Sequence, residues 1–511
     1  MVKAVETPEK RQLNNPLLAA MLRPSSASAL LGRRPPSSKA ALQAYSYSQT
    51  AIAKSPNKSL PNCQINYSQI AKHFIANLPN SIYYIVMNTY KPRITDIILR
   101  KKLKGKGAVL IEGPKWCGKT TTAEQIAKSI LYMSKPEDVK SNIMAADINP
   151  SILLEGPTPR LIDEWQIAPK LWDAIRHEVD HRGNYGNFIL TGSSVPPQND
   201  EIFHTGTGRF AWVKMRPMSL FESGESSGEI SLKTIFENNT KIFAENKIVD
   251  INKLAFLICR GGWPGSLDLD EEIALDQAFD YIDAIVNSDI SRVDNVKRDP
   301  ERAKRLLRAY ARHQGTQTSY AVLRDDILAN DTESLTEDTV YAYTNALRKI
   351  FVIEDMPAWN PNLRSKTAIR TSDTRYFIDS AIATASLGLG PDDLLKDLNT
   401  MGLFFETMCI RDLRVYAESI DGKVYHYRDK SGLECDAVIH LRNGSFGLIE
   451  IKLGGDSLIE EGAKTLKLFS SKIDTNKMQT PSFLMVLTGV GKYAYQREDG
   501  VYVIPIGCLR N

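Results

Sequence analysis

The segment Gly113–Thr120, GPKWCGKT, constrains this chain more than any other: a glycine, four residues, a second glycine, then lysine and threonine. A loop with that spacing curls backbone N–H groups around phosphate oxygens, and it needs a buried strand before it and a helix after it. The apolar run Ala108–Ile111 reads as the strand. Thr120–Leu131 reads as the helix, with Ala123, Ile126, Ala127, Ile130 and Leu131 along one face. Such a helix turns the positive end of its dipole toward a bound anion. Gly113, Pro114, Lys115, Trp116, Cys117, Gly118, Lys119, Thr120 and Thr121 are then the residues around the phosphates of ATP. Lys119 reaches the β- and γ-phosphates, and the Thr120 hydroxyl holds Mg²⁺.

Downstream, Arg160–Gln166 reads RLIDEWQ, a short apolar approach that ends in two acids. Asp163 suits the Mg²⁺ shell, and Glu164 suits the carboxylate that orients and deprotonates an attacking water. Alone, an Asp-Glu pair is more simply a solvated strand end; after a phosphate loop the catalytic reading is preferred. Asn187–Ser194, NFILTGSS, is another apolar strand stopping at small polar residues, where Thr191 or Ser193 would contact the γ-phosphate or the lytic water. An ordinary strand-to-turn transition explains the same pattern. Arg209, in the glycine-rich HTGTGRF turn, is a candidate arginine finger against the commoner outcome of a surface arginine.

The middle of the chain, Leu254–Phe377, reads as mainly helical. Tyr281, Ile285, Ile290 and Val293 form one apolar face, and Leu306, Leu307, Tyr310 and Ala311 form another. Helices over Ser319–Leu328 and Thr336–Ile350 and a short strand over Phe351–Asp355 are compatible with a winged-helix module. A lid that only packs between domains is the simpler reading, because the third helix offers just Arg348 and Lys349 as cations.

A second constellation lies near the C-terminus. Glu406 sits in a helical pattern, Asp436–Leu441 and Phe446–Lys452 read as adjacent strands, and Glu450 and Lys452 share one strand face. Asp436, Glu450 and Lys452 thereby resemble the PD-(D/E)xK nuclease core, with Glu406 as an extra acid and Glu434 as a further one on the face of Asp436. Glu406, Asp436 and Glu450 would bind Mg²⁺, and Lys452 would position the nucleophile. Acid-x-lysine is also a common cross-strand salt-bridge pattern.

These motifs, with MRPMSLFE at Met215–Glu222, RGGWP at Arg260–Pro264 and EIKLGG at Glu450–Gly455, resemble the AAA+-like ATP-binding proteins of bacteria and archaea. In that family an N-terminal ATPase domain is joined to a C-terminal domain that long carried no functional name, and the resemblance covers nearly everything after Met87. It implies an α/β protein: a P-loop NTPase parallel sheet over 87–235, a helical, winged-helix-compatible region over 236–397, and a PD-(D/E)xK-like α/β domain over 398–511. It implies an ATPase and no agreed physiological role; ATP hydrolysis with Mg²⁺, coupled to DNA or RNA, is the reading preferred from the motifs. A homo-oligomer or a protein partner under ATP control stays open.

Charge separates the leader from this core. Residues 1–106 carry 17 Lys and Arg against 3 Asp and Glu, so of the net +4 the remainder holds +4 minus +14, or −10. Residues 1–86 are read as a disordered basic leader, with a natural-looking start at Met87. The six cysteines are scattered without metal-type spacing and read as reduced thiols of a cytoplasmic protein. No apolar run is long enough to span a bilayer, so no membrane partner is expected.

Overall fold

The phosphate-loop strand β1 (Ala108–Glu112) is buried in the middle of a five-stranded sheet. With β2 (Ser129–Tyr132), β3 (Arg160–Asp163), β4 (Phe188–Gly192) and β5 (Phe210–Lys214), the order is β2-β3-β4-β1-β5, and every pairing is parallel. β4 is buried at all five positions and β1 at four, which is why both read as continuous apolar runs. Helices α1 (Ile94–Leu103), α2 (Lys119–Glu124), α3 (Val139–Ile148) and α4 (Leu171–Arg182) accompany this sheet. This computed structural model describes residues 90–193, 206–237, 242–294, 296–328, 335–360, 372–476 and 478–511. The expectations for residues 1–86, Ser194, His204 and Thr205 lie outside them.

The helix expected over Thr120–Leu131 ends at Glu124. Ile126 and Ala127 still pack on the core, but Ser129–Tyr132 leave the helical path and pair with Arg160–Asp163 as an edge strand. Edge strands keep one side toward water, and Ile130 and Tyr132 are correspondingly exposed. The apolar spacing of a helix was here the sum of a short helix and an alternating strand.

The chain then pairs with strands from the C-terminal part before the helical region begins. β6 (Ile230–Ser231), α5 (Leu232–Phe236) and β7 (Phe243–Glu245) follow the five-stranded sheet, yet β6 pairs with β14 (Leu509–Arg510) and β7 pairs with β12 (Tyr493–Gln496). The linear boundary near 235 is therefore crossed by hydrogen bonding. After α6 (Ile251–Arg260), helix α7 (Glu271–Ala284) runs into a π-helical turn, Ile285–Asp289, and α8 (Ile290–Arg292).

Next, α9 (Pro300–Arg312), α10 (Tyr320–Leu328) and α11 (Glu337–Lys349) pack on one another. In place of the strand expected at Phe351–Asp355, two isolated antiparallel bridges join Ile353 to Phe377 and Met356 to Thr374. Arg348, one of the two cations of the third helix, is paired with Asp355 and donates to the Tyr320 hydroxyl at 3.1 Å.

Short helices α12 (Ser380–Leu387) and α13 (Pro391–Lys396) lead into the long α14 (Leu398–Ser419). The remaining strands are β8 (Gly422–Arg428), β9 (Glu434–Leu441), β10 (Phe446–Lys452), β11 (Phe483–Thr488) and β13 (Tyr502–Pro505). They build a mixed seven-stranded sheet of order β7-β12-β13-β11-β10-β9-β8, with α15 (Asp456–Lys472) packed on it. Among the described residues no helix is long and apolar enough to cross a membrane.

The edge strand β8 is covered by the helical region through His426. The Trp359 amide donates to the His426 carbonyl at 2.6 Å, and the His426 amide donates to the Pro357 carbonyl at 3.1 Å. The ring, only 4% exposed, stands 3.2 Å from both the Gln317 amide nitrogen and the Ser372 carbonyl. Burial lowers its pKa from 6.5 to about 4, so the folded chain keeps the imidazole neutral. As pH falls below 6.5 the unfolded chain takes up a proton that the folded chain refuses. Stability is therefore full above that pH and is progressively lost toward pH 4, by about 2–3 kcal/mol. Urea denaturation across this range should show the loss, and His426→Gln should flatten it; an equally steep loss in the variant would assign it to other groups.

Candidate functional site

Two strand ends and the start of α2 meet at Asp163. Its Oδ1 accepts the Thr120 hydroxyl at 2.6 Å and the Thr191 hydroxyl at 2.7 Å, which ties the phosphate-loop helix, β3 and β4 to one carboxylate. Parallel pairing makes this unavoidable, because all five strands finish on the same side and β4 lies between β1 and β3. Of the two polar candidates on β4, Thr191 bonds to the site; Ser193 is buried two residues further along.

Gly113 and Gly118 bend the loop with φ of 155° and 97°. A Cβ on Gly113 would stand 2.0 Å from the Met215 carbonyl oxygen, so the loop needs glycine there for packing as well as for conformation. Lys119 is nearly buried, and its ammonium donates to the carbonyls of Gly113 (2.9 Å) and Pro114 (2.7 Å), curled inside its own loop. Cys117 is buried against the Met215 carbonyl. Thr121 is exposed at the start of α2. The hard oxygen donors Thr120 and Asp163 suit Mg²⁺, and the ammonium of Lys119 in a ring of backbone dipoles suits phosphate.

Glu164 begins a turn in the left-handed region, φ 54° and ψ 47°, which aims its carboxylate away from the strand. Burial pushes that carboxyl upward, opposed by the Lys119 charge, and the Gln166 side-chain amide donates to it. Gly192 leaves room for this turn, since a Cβ there would meet Gln166 Oε1 at 2.8 Å.

Four partners of the loop escaped sequence reasoning. Arg93 is buried and donates to the Cys117 carbonyl at 2.7 Å, to the Arg216 carbonyl at 2.8 Å and to Glu222 at 3.1 Å. Lys115 leaves the loop to pair with Asp289 of the π turn at 2.6 Å. The exposed Trp116 packs on Tyr281, which in turn packs on Trp263 of the RGGWP segment. A lone arginine, aspartate or tyrosine carries no pattern; only the clustered MRPMSLFE and RGGWP motifs hinted at them.

Arg209 lies elsewhere. It precedes β5, whose first residue Phe210 pairs with Ala108 at the start of β1, so it sits at the opposite end of the sheet from the phosphate loop. There it pairs with Asp180 of α4 at 2.8 Å. The glycine-rich turn that suggested a finger is the entrance to an edge strand, and within one chain it lies at the other end of β1 from the phosphate loop.

The C-terminal residues do converge. Lys452 Nζ lies 2.8 Å from Glu450 and 3.6 Å from Asp436, and Asp436 Oδ2 also accepts the Ile451 amide at 2.7 Å. Glu406 arrives from α14 with the Tyr376 hydroxyl donating to it, beside the left-handed Gly315, where a Cβ would stand 3.2 Å from its oxygen. Burial, with the Asp436 charge adding, pushes the Glu406 and Glu450 carboxyls well above the ordinary range. Against the penalty of burial, Asp436 and Glu450 hold Lys452 protonated. Glu434 stays outside, paired with Arg428 at the surface. Among the described residues no three His, Cys, Asp or Glu side chains are arranged to hold a metal ion, so Glu406, Asp436 and Glu450 are neighbours without a shared ligand position. Glu450 Oε1 is buried with no hydrogen-bond partner, and the donors are hard oxygens, so the chemistry of the set still suits Mg²⁺.

Residues 105–223 match the family described as AAA domain. This stretch is similar to AAA-type P-loop ATPase domains. Residues 251–393 and 401–509 match two domains of unknown function, DUF8612 and DUF4143. Two curated relatives, the uncharacterized proteins Mb2031c of Mycobacterium bovis and Rv2008c of Mycobacterium tuberculosis, are each 23% identical over 360 residues, 69% of this chain and 72% of the relative. Among solved structures, the Walker-type ATPase PABY2304 of Pyrococcus abyssi is similar at a TM-score of 0.35 and 15% identity, with 58% of this chain and 96% of that one covered. RuvB T158V of Thermotoga maritima gives 0.20 and 16%, with 55% and 90% covered.

The position of Arg209 gives a direct expectation. Arg209→Ala should leave the ATP turnover of the AAA-type domain within about twofold, because an exposed ion pair contributes little to stability. A loss of about a thousandfold in a steady-state phosphate-release assay would instead mark a finger supplied to a second copy.

Proposed function

We propose that this chain hydrolyses ATP at the Asp163 site and couples that hydrolysis to a nucleic-acid transaction through a nuclease-like C-terminal domain. The observation that carries the ATPase half is the single Asp163 oxygen bonded to both Thr120 and Thr191. Bound Mg²⁺, held by Thr120 and Asp163, would supply charge neutralisation at the phosphates. Lys119, released from its loop carbonyls, binds the β- and γ-phosphates, and the loop amides from Gly113 to Thr121 complete the cradle. Glu164 accepts the proton of the attacking water, a role that its buried, raised carboxyl suits. Thr191 orients that water or the γ-phosphate from the neighbouring strand.

Lys119→Ala should abolish nucleotide binding in titration calorimetry, whereas Glu164→Gln should bind ATP and turn it over at least about a hundredfold more slowly. Full turnover in Glu164→Gln would remove Glu164 from the role of base.

For the C-terminal half, Asp436 and Glu450 with Glu406 are the candidate ligands of a catalytic ion, and Lys452 the group that positions a nucleophile. One arrangement favours a second reading: Lys452 already bridges Glu450 and Asp436, as a structural ion pair would. In that reading the nuclease-like fold is inactive, and ATP occupancy controls a protein partner. A mixed panel of DNA and RNA incubated with Mg²⁺ or Mn²⁺ separates the two. Cleavage should appear, vanish with EDTA, and vanish in Glu450→Ala or Asp436→Ala while ATP turnover continues. Lys452→Ala should retain metal binding and cleave slowly. No cleavage with either ion decides for the switch.

A further inference from the structure

A cleft of about 680 Å³ opens between α1 and β5 of the ATPase domain on one side and α14, β8 and the end of β9 on the other. It lies away from both sites described above, on the far side of β5 from β1 and toward the opposite end of β9 from Asp436. Seven Lys and Arg line it against four Asp and Glu. That excess stands out because residues 90–511, which include every lining residue, carry −4, the net +4 less the +8 of residues 1–89.

The charges divide into a closed floor and an open rim. On the floor, Arg216 pairs with Glu354 and Glu418 at 2.8 Å, while Lys214 and Arg414 share Glu354. The fourth acid, Asp355, is committed to Arg348 and Arg375 outside the cleft. On the rim, the single carboxylate of Asp421 serves both Lys101 and Arg442, with the Lys102 charge also near it, and Lys102 and Lys423 make no ion pair among the described residues. The last turn of α1 and its C-cap extend this rim beyond the cleft with the exposed Arg100 and Lys104. A small anionic ligand needs no such extension, whereas a repeating polyanion does.

The wall supplies the second element. Trp212 stands on the edge strand β5, is 43% exposed and lines the cleft, with Tyr425 also in the lining. An indole face beside spaced ammonium groups is how unpaired bases and their phosphates are held together; an acidic peptide has no use for the indole. From this we infer that the cleft is a binding track for single-stranded nucleic acid. The phosphates lie on Lys101, Lys102, Lys423 and Arg442, and a base stacks on Trp212. The track also points somewhere: Arg414 and Glu406 belong to the same helix, about 12 Å apart at 1.5 Å per residue. The inference deepens the nucleic-acid reading above and rests on it for purpose, but binding in EDTA without nucleotide tests it apart from ATP turnover and from cleavage.

The measurement is fluorescence anisotropy of a labelled 12-mer oligothymidylate on the full chain over a salt series. Lys102→Gln with Lys423→Gln should weaken binding and reduce the slope of log affinity against log salt by about 1.4, two contacts at about 0.7 each. Trp212→Ala should weaken binding about fivefold or more, and Trp212→Phe should restore most of it, because stacking survives the exchange. ATP turnover should be unchanged in all of these variants. Since the basic residues 1–86 are common to every variant, a bromodeoxyuridine cross-link mapped by mass spectrometry locates the strand directly. Cross-links at Trp212 or Tyr425 support the track. Cross-links confined to residues 1–86, wild-type affinity and slope in the lysine variant, or equal competition by polyglutamate would each overturn it.

Discussion

The Arg411 guanidinium, buried between Asp379 and Asp412, is the interaction on which the rest of the described core depends. It lies 2.7 Å from each carboxylate, and all three side chains are almost fully shielded from water. Each acid also holds backbone from elsewhere: Asp379 accepts the Gly262 amide at 3.0 Å, and Asp412 accepts the Leu220 amide at 2.8 Å. The ATPase domain, the helical region and α14 thus meet at one arginine. Desolvating three charges costs several kcal/mol per ion, and the arrangement is tolerable only because every ion has partners on more than one side. Removing the arginine alone would strand two buried carboxylates.

The same network explains why motifs without catalytic residues stand out in the sequence. A Cβ on Gly262 would stand 2.1 Å from the Met218 carbonyl oxygen, and the Met218 amide donates to the Gly262 carbonyl at 2.6 Å. RGGWP and MRPMSLFE are therefore two halves of one contact. The second motif also backs the nucleotide site: the Met215 carbonyl packs on Gly113, and Glu222 holds Arg93, which grips the Cys117 carbonyl. The phosphate loop is in this way continuous, through a rigid strap, with the helix that carries Glu406.

What was legible in the sequence follows from range. The phosphate loop, Asp163, Glu164 and Thr191 are local patterns at strand ends, and parallel pairing alone brings them together. The convergence of Glu406, Asp436, Glu450 and Lys452 was legible for a similar reason, since β9 and β10 are neighbours in sequence and in the sheet. Contacts set by chain segments far apart were not legible. Nothing local says that Ser129–Tyr132 has a strand partner waiting at Arg160–Asp163, that Arg209 opens an edge strand, or that residues 230–245 belong with the last strands of the chain. In each case tertiary pairing overrode local propensity.

The distribution of buried and exposed charge also decides where this molecule can yield. The Arg411 network and the Arg93–Glu222 pair are dry, so opening either exposes ions whose partners cannot be replaced quickly by water. Lys115–Asp289 and Lys101–Asp421 each have a lysine in solvent, and pairs of that kind are worth at most about 1 kcal/mol. One of them joins the phosphate loop to a π-helical turn, a rare element often found at functional sites. The other spans the rim of the cleft between α1 and the turn before β8. Those two contacts are therefore the cheapest to break, whereas the strap and α14 are held by dry ion pairs.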